Sequence, residues 1–333
     1  MKKRLQWGII GTGGIARKFA RGLKESLTGE LAAVGSRAEE TLRDFLKEFP
    51  ARGHASYEAL LADPGVEAVY ISTPHPLHAE WAIRAARAGK HILCEKPLAM
   101  NAAEAGAMIQ AAREAGVFLM EAFMYRCHPQ TALLLDLIRS GRIGAVRLVQ
   151  AEFSFRAPWN PAGRLLNRET GGGGILDVGC YCVSMARLIA GEEPITLNAL
   201  GRVGETGVDE FAIAQLGFPG GIMAQLSAGI RVALDNRVRV WGEEGMIEVP
   251  SPWGGSRVAG ESALLLRRTG EPEGKLVVRI ERGIFAMEAD AVAESLAAGQ
   301  SPAMTWADSL GNMRTLDWWR REIGMRYNAD VSE

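Results

Sequence analysis

The stretch that decides the fold is Leu5-Gln6-Trp7-Gly8-Ile9-Ile10-Gly11-Thr12-Gly13-Gly14-Ile15-Ala16. A short apolar run is followed at once by a G-x-G-x-x-A turn, in which the first glycine permits a tight bend and the second lets the backbone approach a pyrophosphate. The small third residue lets the next helix pack on the strand, and the N-terminus of that helix offers N–H groups to phosphates. The stretch therefore predicts a dinucleotide site between a first strand and a first helix.

Strands and helices alternate from this turn to about residue 120. The predicted strands are Leu5–Ile10, Leu31–Gly35, Val66–Ser72, His91–Cys94 and Val117–Met120. The predicted helices are Ile15–Leu27, Ala38–Glu48, His78–Ala88 and a segment from Asn101 to Gly116. Such alternation is typical of a parallel sheet with helices on its faces.

The second half of the chain has strands in close succession, separated by Gly-rich or charged turns. The predicted strands there are Arg147–Phe155, Ile195–Val203, Glu210–Phe218, Ile222–Ile230, Val238–Trp241 and Lys275–Ile280, and the predicted helices are Gly174–Ala190, Ala286–Ala298 and Trp306–Gly324. This pattern indicates a largely antiparallel sheet. We therefore predict an α/β protein with a dinucleotide-binding domain at 1–122 and a substrate-binding and oligomerisation domain at 123–333. Packing of the C-terminal helices back on the first domain is left open.

Charge and composition exclude several classes of protein. The chain carries 38 Lys and Arg residues against 39 Asp and Glu, a formal net charge of -1. Binding to nucleic acid or to a membrane surface needs a basic excess or patch, so neither partner is expected. No window of about 18 apolar residues is seen, so no membrane span is expected. The cysteines Cys94, Cys127, Cys180 and Cys182 form no CxxC pair, which favours reduced thiols in a cytoplasmic protein and no zinc site.

The end of the second predicted strand bears on the choice between NAD and NADP. NAD sites usually place an Asp or Glu there, which accepts hydrogen bonds from the ribose hydroxyls. This chain has Ser36 and Arg37 instead. Ser36 has no charge to repel a 2′-phosphate, and Arg37 can pair with that phosphate or stack over it. The strand end therefore favours NADP, with NAD possible and a solvent-facing role for Arg37 as the alternative.

Three further motifs are Thr73-Pro74-His75-Pro76-Leu77-His78, Glu95-Lys96-Pro97 and Gly171-Gly172-Gly173-Gly174-Ile175-Leu176-Asp177-Val178-Gly179-Cys180-Tyr181. With them the chain resembles, over essentially its whole length, the glucose–fructose oxidoreductase / inositol dehydrogenase / rhizopine catabolism (Gfo/Idh/MocA) family. Tyr181 and the segment Glu121–Pro129 are similar to the branch of dihydrodiol dehydrogenases, NADP-dependent xylose dehydrogenases and glucose–fructose oxidoreductase. Members that resemble inositol dehydrogenase carry His in place of Tyr181, which disfavours a cyclitol substrate.

The resemblance implies a Rossmann domain followed by an α/β domain with an open, mostly antiparallel sheet. It also implies hydride transfer between nicotinamide and a carbinol or carbonyl carbon of a sugar, sugar derivative or polyol. Lys96, Asp177 and Tyr181 fall on the family's catalytic positions. The residues expected to bind the cofactor are Gly11, Thr12, Gly13, Gly14, Ile15, Ser36, Arg37, Thr73, Pro74, His75, His78, Glu95 and Lys96.

The chemistry explains why these residue types would be needed. Alcohol oxidation requires a group that takes the hydroxyl proton, and the reverse reaction requires the same group to donate it. Tyr181 can do this if its pKa falls from about 10 towards neutrality, which a neighbouring Lys96 ammonium favours. Asp177 lies four residues before Tyr181, so the two share one face of an α-helix, and Asp177 can orient substrate hydroxyls or hold Lys96 charged. The spacing leaves open whether Lys96 or Tyr181 carries the proton.

Substrate contacts are expected from Lys96, Arg126, His128, Trp159, Asn160, Arg164, Asp177 and Tyr181. Arg126 and His128 follow the last strand of the first half, and an interdomain salt bridge or hydrogen bond is the alternative role for them. The irregular stretch 159–164 offers an aromatic ring and an amide that suit a sugar, and loop packing is its alternative role. His75 and His78 have metal-ligand spacing but no third ligand group, so no metal is predicted.

Three classes of function fit these observations: an NAD(P)-dependent sugar or polyol oxidoreductase, an NAD-dependent glycosidase that oxidises its substrate transiently with a tightly bound cofactor, and a non-catalytic NADP-binding regulator. The presence of all three catalytic-position residues disfavours the regulator. A broad sheet with one open face would also expose a large apolar patch. We therefore expect a homodimer or homotetramer that associates through the C-terminal sheet.

Overall fold

The computed structural model describes residues 3–254 and 257–330, which form two compact units. The first unit contains the described residues up to Ala99, together with Ala103–Cys127 and Glu281–Ser309. The second unit contains Met100–Ala102, His128–Ile280 and the described residues from Leu310 onward. Each unit is therefore assembled from separate stretches of the chain.

The strands are β1 (Leu5–Ile10), β2 (Gly29–Gly35), β3 (Arg52–His54), β4 (Ala68–Ile71), β5 (His91–Glu95), β6 (Leu119–Ala122), β7 (Val146–Ser154), β8 (Thr196–Val203), β9 (Asp209–Gly217), β10 (Met223–Gly229), β11 (Val238–Gly242), β12 (Gly245–Val249), β13 (Gly260–Arg268) and β14 (Gly274–Ile280). The helices are α1 (Gly14–Glu25), α2 (Glu39–Glu48), α3 (Tyr57–Leu61), α4 (His78–Arg87), α5 (Ala102–Ala115), α6 (Pro129–Arg139), α7 (Cys180–Ala190), α8 (Ile284–Ser295) and α9 (Trp306–Glu322). A short π-helix, Ile175–Gly179, leads into α7.

The first unit is built on a six-stranded sheet with the order β3-β2-β1-β4-β5-β6, in which every pair of neighbours is parallel. This confirms the predicted parallel sheet, and the order is that of a doubly wound dinucleotide-binding fold. The order reverses between β1 and β4, and ligands of such sheets bind beyond the carboxyl ends of the strands near this point. The glycine turn that follows β1 lies at that edge.

Aromatic packing holds α1 on this sheet. The ring of Phe19 stacks on Tyr70 at 4.0 Å and meets Trp7 edge-on at 5.2 Å, and all three side chains are fully buried. On its other side α1 packs against α8. A Cβ at Gly22 would lie 2.6 Å from the Cβ of Phe285, so only glycine allows this approach. The late helix α8 is thus part of the first unit.

The second unit contains an eight-stranded sheet with the order β14-β13-β12-β11-β7-β10-β9-β8. Its neighbours are antiparallel except for the parallel pair β7 and β10, so the predicted, mostly antiparallel sheet is confirmed. One face, with residues such as Val149 and Leu226, is buried, and α7 packs over β7 and β10. The opposite face leaves large apolar side chains exposed, including Leu200, Ile213 and Met223.

Some elements are absent from the sequence prediction. They are the short pair β3 and α3 in the first unit, and α6, β12 and β13 in the second. Three residues are enough for β3 because it pairs only with β2 at the sheet edge. The beginning of α6 carries a readable signal, because His128 caps it and Pro129 occupies its first position.

One helical run, Arg168–Ala190, is long and apolar enough to cross a membrane by length and composition. This differs from the expectation that no such window exists. The run is mostly buried inside the protein, as is usual for the core helix of a folded domain, and it includes the π-helix and α7.

Candidate active site

The glycine turn has the geometry that a pyrophosphate requires. Gly11 has φ = +102°, and its N–H donates to the carbonyl of Gly35 at 3.0 Å, which joins the turn to the end of β2. A Cβ at Gly13 or Gly14 would meet no other atom within 4 Å, so the space over the turn is open. The first turn of α1 carries no acidic residue. An open, glycine-lined helix N-terminus without negative charge fits a dinucleotide phosphate.

At the end of β2, a hydroxyl cluster surrounds Ser36. The Ser36 hydroxyl lies 3.4 Å from that of Thr12 and 3.1 Å from that of Thr41, and Thr12 also contacts Thr41 at 3.0 Å. The guanidinium of Arg37 lies over the ring of Tyr57 at 5.5 Å. Thr41 was missed by sequence reasoning, because it lies in α2 beyond the strand end where the cofactor determinant is expected. The end of β2 thus presents hydroxyl groups and a guanidinium group.

His78 connects the turns that follow β4 and β5. It is fully buried, with Nδ1 2.9 Å from the carbonyl oxygen of Pro97 and Nε2 3.0 Å from that of Thr73. Burial lowers the pKa of His78, which favours a neutral imidazole. The ring of His75, itself buried, meets that of His78 edge-on at 5.6 Å. His78 therefore links the turn at Thr73 to the turn at Pro97.

Lys96 directly follows β5, at the same edge of the sheet as the glycine turn. The backbone around it is fixed on both sides. Glu95 accepts a short hydrogen bond from the Tyr70 hydroxyl, and its other oxygen accepts the Lys96 N–H at 3.3 Å. On the far side of the cis peptide that joins Lys96 to Pro97, the N–H of Leu98 donates to the buried carboxylate of Glu121 at 2.8 Å. Hydrogen bonds thus hold the backbone on both sides of Lys96.

In the second unit, the glycine run leads into the π-helix that contains Asp177. Asp177 is buried, and both terminal nitrogens of Arg164 donate to its Oδ1 at 3.1 Å. The predicted pairing of Asp177 and Tyr181 on one face assumed α-helical spacing throughout. The observed π-helix has a wider turn, and single π-turns are frequent at functional sites.

Tyr181 lies in the first turn of α7 and is 5% exposed. Its ring meets Phe153 edge-on at 5.2 Å and Trp253 at 5.7 Å, while Phe153 and Trp253 stack on each other in nearly parallel planes. The indole N–H of Trp253 donates to the carbonyl of Glu152 at 2.9 Å. Sequence reasoning missed both aromatic neighbours, because Trp253 lies in a loop far along the chain from Phe153. Together they hold the phenol of Tyr181 by its ring.

Arg126 and His128 have local structural partners. Arg126, in the first unit, lies 3.6 Å from the Asp308 carboxylate and donates to the carbonyl of Ala303 at 3.4 Å. His128, in the second unit, accepts the N–H of Gln130 at 2.9 Å through Nδ1 and so caps α6. Burial lowers the pKa of His128. Arg126 is thus held within the first unit, and His128 is held at the start of α6 in the second.

The irregular stretch before the glycine run presents an exposed aromatic surface. Trp159 is 49% exposed, and the guanidinium of Arg231 lies over its ring at 5.4 Å. Asn160 is exposed beside it, and its carbonyl accepts the N–H of Gly163 at 2.9 Å. Arg231 was not anticipated from the sequence, because it follows β10 and reaches the stretch only through the fold.

Within residues 3–254 and 257–330, no group of three or more His, Cys, Asp or Glu side chains is placed to hold a metal ion. The described residues do provide an open glycine turn after β1, a lysine at the end of β5, and Asp177 and Tyr181 at the start of a buried helix. Fold and residues together define an NAD(P)-binding oxidoreductase.

The comparisons agree with this class. Residues 5–123 match the family model described as "Oxidoreductase family, NAD-binding Rossmann fold", and residues 131–248 match the GFO/IDH/MocA C-terminal domain. The chain belongs to the Gfo/Idh/MocA family of oxidoreductases. It is 35% identical to mouse trans-1,2-dihydrobenzene-1,2-diol dehydrogenase over 98% of this chain and 99% of the relative. It is 34% identical to D-xylose 1-dehydrogenase (NADP(+)) 2 of Haloferax volcanii over 94% and 95% of the two chains.

Two solved structures are similar to this chain over nearly its full length. A 3-ketoreductase from Actinomadura kijaniata in complex with NADP and TDP-benzene has a TM-score of 0.88 at 30% identity, covering 96% of this chain and 98% of that chain. The aldose–aldose oxidoreductase from Caulobacter crescentus complexed with glycerol also has a TM-score of 0.88 at 30% identity, covering 96% and 97% of the two chains.

Proposed function

We propose that this protein is an NADP-dependent oxidoreductase that interconverts a carbinol and a carbonyl group on a sugar, sugar derivative or polyol. The observation that carries this proposal is Lys96 at the end of β5, on the sheet edge where the open glycine turn follows β1. The first unit would hold the cofactor, and the second would supply Asp177 and Tyr181 for the substrate.

The nicotinamide cofactor, held at the glycine turn Gly11–Ile15, would supply the acceptor or donor of the hydride. As a phenolate, Tyr181 would take the proton from the substrate hydroxyl during oxidation, and as a phenol it would return that proton during reduction. The Lys96 ammonium would favour the phenolate form of Tyr181 by its charge. In the alternative assignment, a neutral Lys96 amine would take the proton during oxidation, and its ammonium form would return it during reduction. Asp177, whose Oδ1 is held by Arg164, orients a substrate hydroxyl, since one carboxylate can accept several hydrogen bonds at once.

The other site residues would act around this centre. Gly11–Ile15 would bind the pyrophosphate. The segment Thr73–His75 and Glu95 would line the nicotinamide side, and His78 would hold that segment through its contact with the carbonyl of Thr73. Arg126 and His128 would border the substrate near the end of β6. Trp159, Asn160 and Arg164 would contact its more distant hydroxyls, since a stacked indole and an amide suit a sugar ring.

The preference for NADP is supported by the hydroxyl cluster around Ser36 and by Arg37. Neutral hydroxyls and a guanidinium suit a 2′-phosphate, whereas a carboxylate would repel it. The two neighbours with NADP in their names, the xylose dehydrogenase and the ketoreductase complex, are consistent with this preference.

Ser36→Asp should weaken NADP binding several-fold or more, because it places a negative charge beside the 2′-phosphate. The dissociation constants for NADPH and NADH are measured by fluorescence titration. Ser36→Asn is the matched control, since it is similar in size to Asp but uncharged, and it should retain most of the NADP preference. Tighter binding of NAD than NADP by the wild type would contradict the proposal.

The substrate class is tested by following absorbance at 340 nm with panels of aldoses, ketoses, polyols and trans-dihydrodiols and with each cofactor. Sugars and dihydrodiols are tested first, because the names of the similar proteins contain them. We expect net formation of NADPH with at least one diol-bearing substrate. An NAD-dependent glycosidase would instead release aglycone from aryl glycosides with no net NADPH, and that result would overturn the proposal.

We also propose association through the open face of the eight-stranded sheet, as a homodimer or homotetramer. The centre of this face is polar and preorganised, with Gln150 donating to Gln225 at 2.8 Å and Trp241 donating to Gln150 at 3.0 Å. The same face exposes apolar side chains, with Ile213 at 41% and Met223 at 59% exposure. A sheet face that leaves several large apolar side chains exposed is suited to a self-complementary interface.

Ile213→Glu and Met223→Glu should each weaken self-association by about tenfold or more, because each would bury a carboxylate without a partner. Leu27→Glu is the control, since Leu27 is 69% exposed and belongs to the first unit. Light scattering gives the mass as a function of concentration. A wild type that scatters as a monomer of 36.0 kDa at micromolar concentration would contradict the proposed association.

A further inference from the structure

Asp209 is a buried carboxylate that the proposed chemistry does not use. It begins β9 and is fully buried. Its Oδ2 accepts the N–H of Ile175 at 2.6 Å, and Ile175 is the first residue of the π-helix that leads into α7. Among the described residues, nothing donates a hydrogen bond to its Oδ1. The carboxylate therefore caps the helix that carries Asp177 and Tyr181.

The glycine run is shaped around this carboxylate. Gly173 has φ = +120°, and a Cβ there would lie 2.3 Å from the Asp209 Oδ1. A Cβ at Gly174 would lie 2.9 Å from the Cα of Gly229 and 3.2 Å from the Asp209 Oδ2. The carbonyl of Gly173 in turn accepts the N–H of Asp177 at 3.2 Å. Asp209 and Asp177 are thus connected through a single turn of backbone.

The groups that face Asp209 come from the C-terminal part of the second unit. Tyr327 donates a short hydrogen bond to the carbonyl of Gly172, and the guanidinium of Arg320 lies over the Tyr327 ring at 5.0 Å. Arg320 is paired with Asp330 at 2.9 Å and also with Asp317. Asp330 accepts the N–H of Tyr327 at 2.8 Å, and the charge of Arg168 also acts on Tyr327. The positive charge of Arg320 is therefore shared among other carboxylates.

We propose that Asp209 is a positioning residue for the reaction, which fixes the start of the catalytic-position helix through the Ile175 amide and so sets the placement of Asp177 and Tyr181. This inference rests on the proposed function. Burial raises the pKa of Asp209 to about 7, although the Ile175 amide and the Arg320 charge oppose the shift. Its ionised form accepts the amide hydrogen bond more strongly, because charge-assisted hydrogen bonds are the stronger ones.

The pH dependence follows from this ionisation. As the pH rises through about 7, Asp209 ionises, the helix start is held more firmly, and kcat should rise. The stability of the folded state changes in the opposite direction and falls as the pH rises. A carboxyl group whose folded-state pKa lies above its unfolded value gives stability at low pH, which is lost as the pH rises through the folded-state value.

Asp209→Asn is the decisive variant, because the amide keeps the shape and one acceptor oxygen but carries no charge. We expect kcat to fall about tenfold at pH 8, the rise near pH 7 to disappear, and the dissociation constant for NADPH to stay within about twofold of wild type. The melting temperature of the variant relative to wild type should increase between about pH 5 and pH 8. Asp209→Ser, which is smaller but also uncharged, gives the same test if the asparagine variant does not fold.

Tyr327→Phe is the matched control, since it removes a hydroxyl from the same cluster but leaves the carboxylate. It should retain the rise near pH 7. An Asp209→Asn enzyme with the wild-type pH profile, while Tyr181→Phe is impaired, would overturn this inference alone. Normal turnover by both Tyr181→Phe and Lys96→Met would instead overturn the proposed function.

Discussion

Tyr181→Phe and Lys96→Met should each lower kcat by about 10²-fold or more, the usual scale for loss of a general acid–base group. The phenylalanine keeps the ring contacts with Phe153 and Trp253 and removes only the hydroxyl. The methionine roughly keeps the length of the lysine and removes its charge. The two losses should be non-additive, because a charge that tunes a phenol has no further effect once the hydroxyl is gone. Steady-state kinetics of both single variants and the double variant measure this.

The controls for this prediction are cofactor affinity and the pH profile. NADPH binding should change much less than kcat, because the phosphate contacts at Gly11–Ile15 are untouched. If Tyr181→Phe remains nearly fully active while Lys96→Met is inactive, then Lys96 carries the proton and Tyr181 positions the substrate. Full turnover by both variants on the true substrate would remove the proposed catalytic assignment.

Gly173→Ala should destabilise the second unit by about 2–5 kcal/mol, since it combines a left-handed backbone with severe overpacking. The added Cβ would lie 2.3 Å from the Asp209 Oδ1 and 3.0 Å from the Tyr327 hydroxyl. Because both groups are buried, neither can move away into solvent. Urea unfolding followed by circular dichroism gives the free energy of unfolding.

Gly191→Ala is the matched control for this prediction. Gly191 lies at the other end of the same helix with φ = +70°, but a Cβ there would meet no other atom within 4 Å. Only the backbone strain applies, so the expected loss is about 1 kcal/mol. Equal losses for the two variants would show that the contact with Asp209 contributes nothing.

The parts of the site that could be predicted from sequence are those encoded over a few consecutive residues. One such part is the glycine turn after β1. Another is the end of β2, where this chain has Ser36 and NAD sites usually have an acidic residue. In both cases the strand, the turn and the helix are neighbours along the chain. Parallel strands also place their ends at one edge, so the position of Lys96 relative to the turn follows from the alternation of strands and helices.

The remaining features depend on contacts between distant segments. The pairing of Asp209 with Ile175, and the stacking of Trp253 on Phe153, join residues whose relation no local pattern reveals. The π-helix around Asp177 is another case. It ends at Gly179, where the backbone passes so close to β10 that a Cβ would lie 3.2 Å from the Cβ of Ala228. This close approach of two segments that are distant in the chain is not visible in a local sequence pattern.

Because α8 packs on α1, the dinucleotide-binding unit is not a contiguous piece of its gene. Phe285 is synthesised long after Gly22, and until then the surface of α1 at Gly22 lacks its partner. Asp290, which accepts a hydrogen bond from the Ser26 hydroxyl at 2.6 Å, arrives equally late. The first unit therefore cannot complete its packing until the residues of α8 have been synthesised. A fragment that ends at residue 123 would lack α8, which packs on α1. A shortened protein that keeps the whole first unit must therefore join Glu281–Ser309 to the first 127 residues.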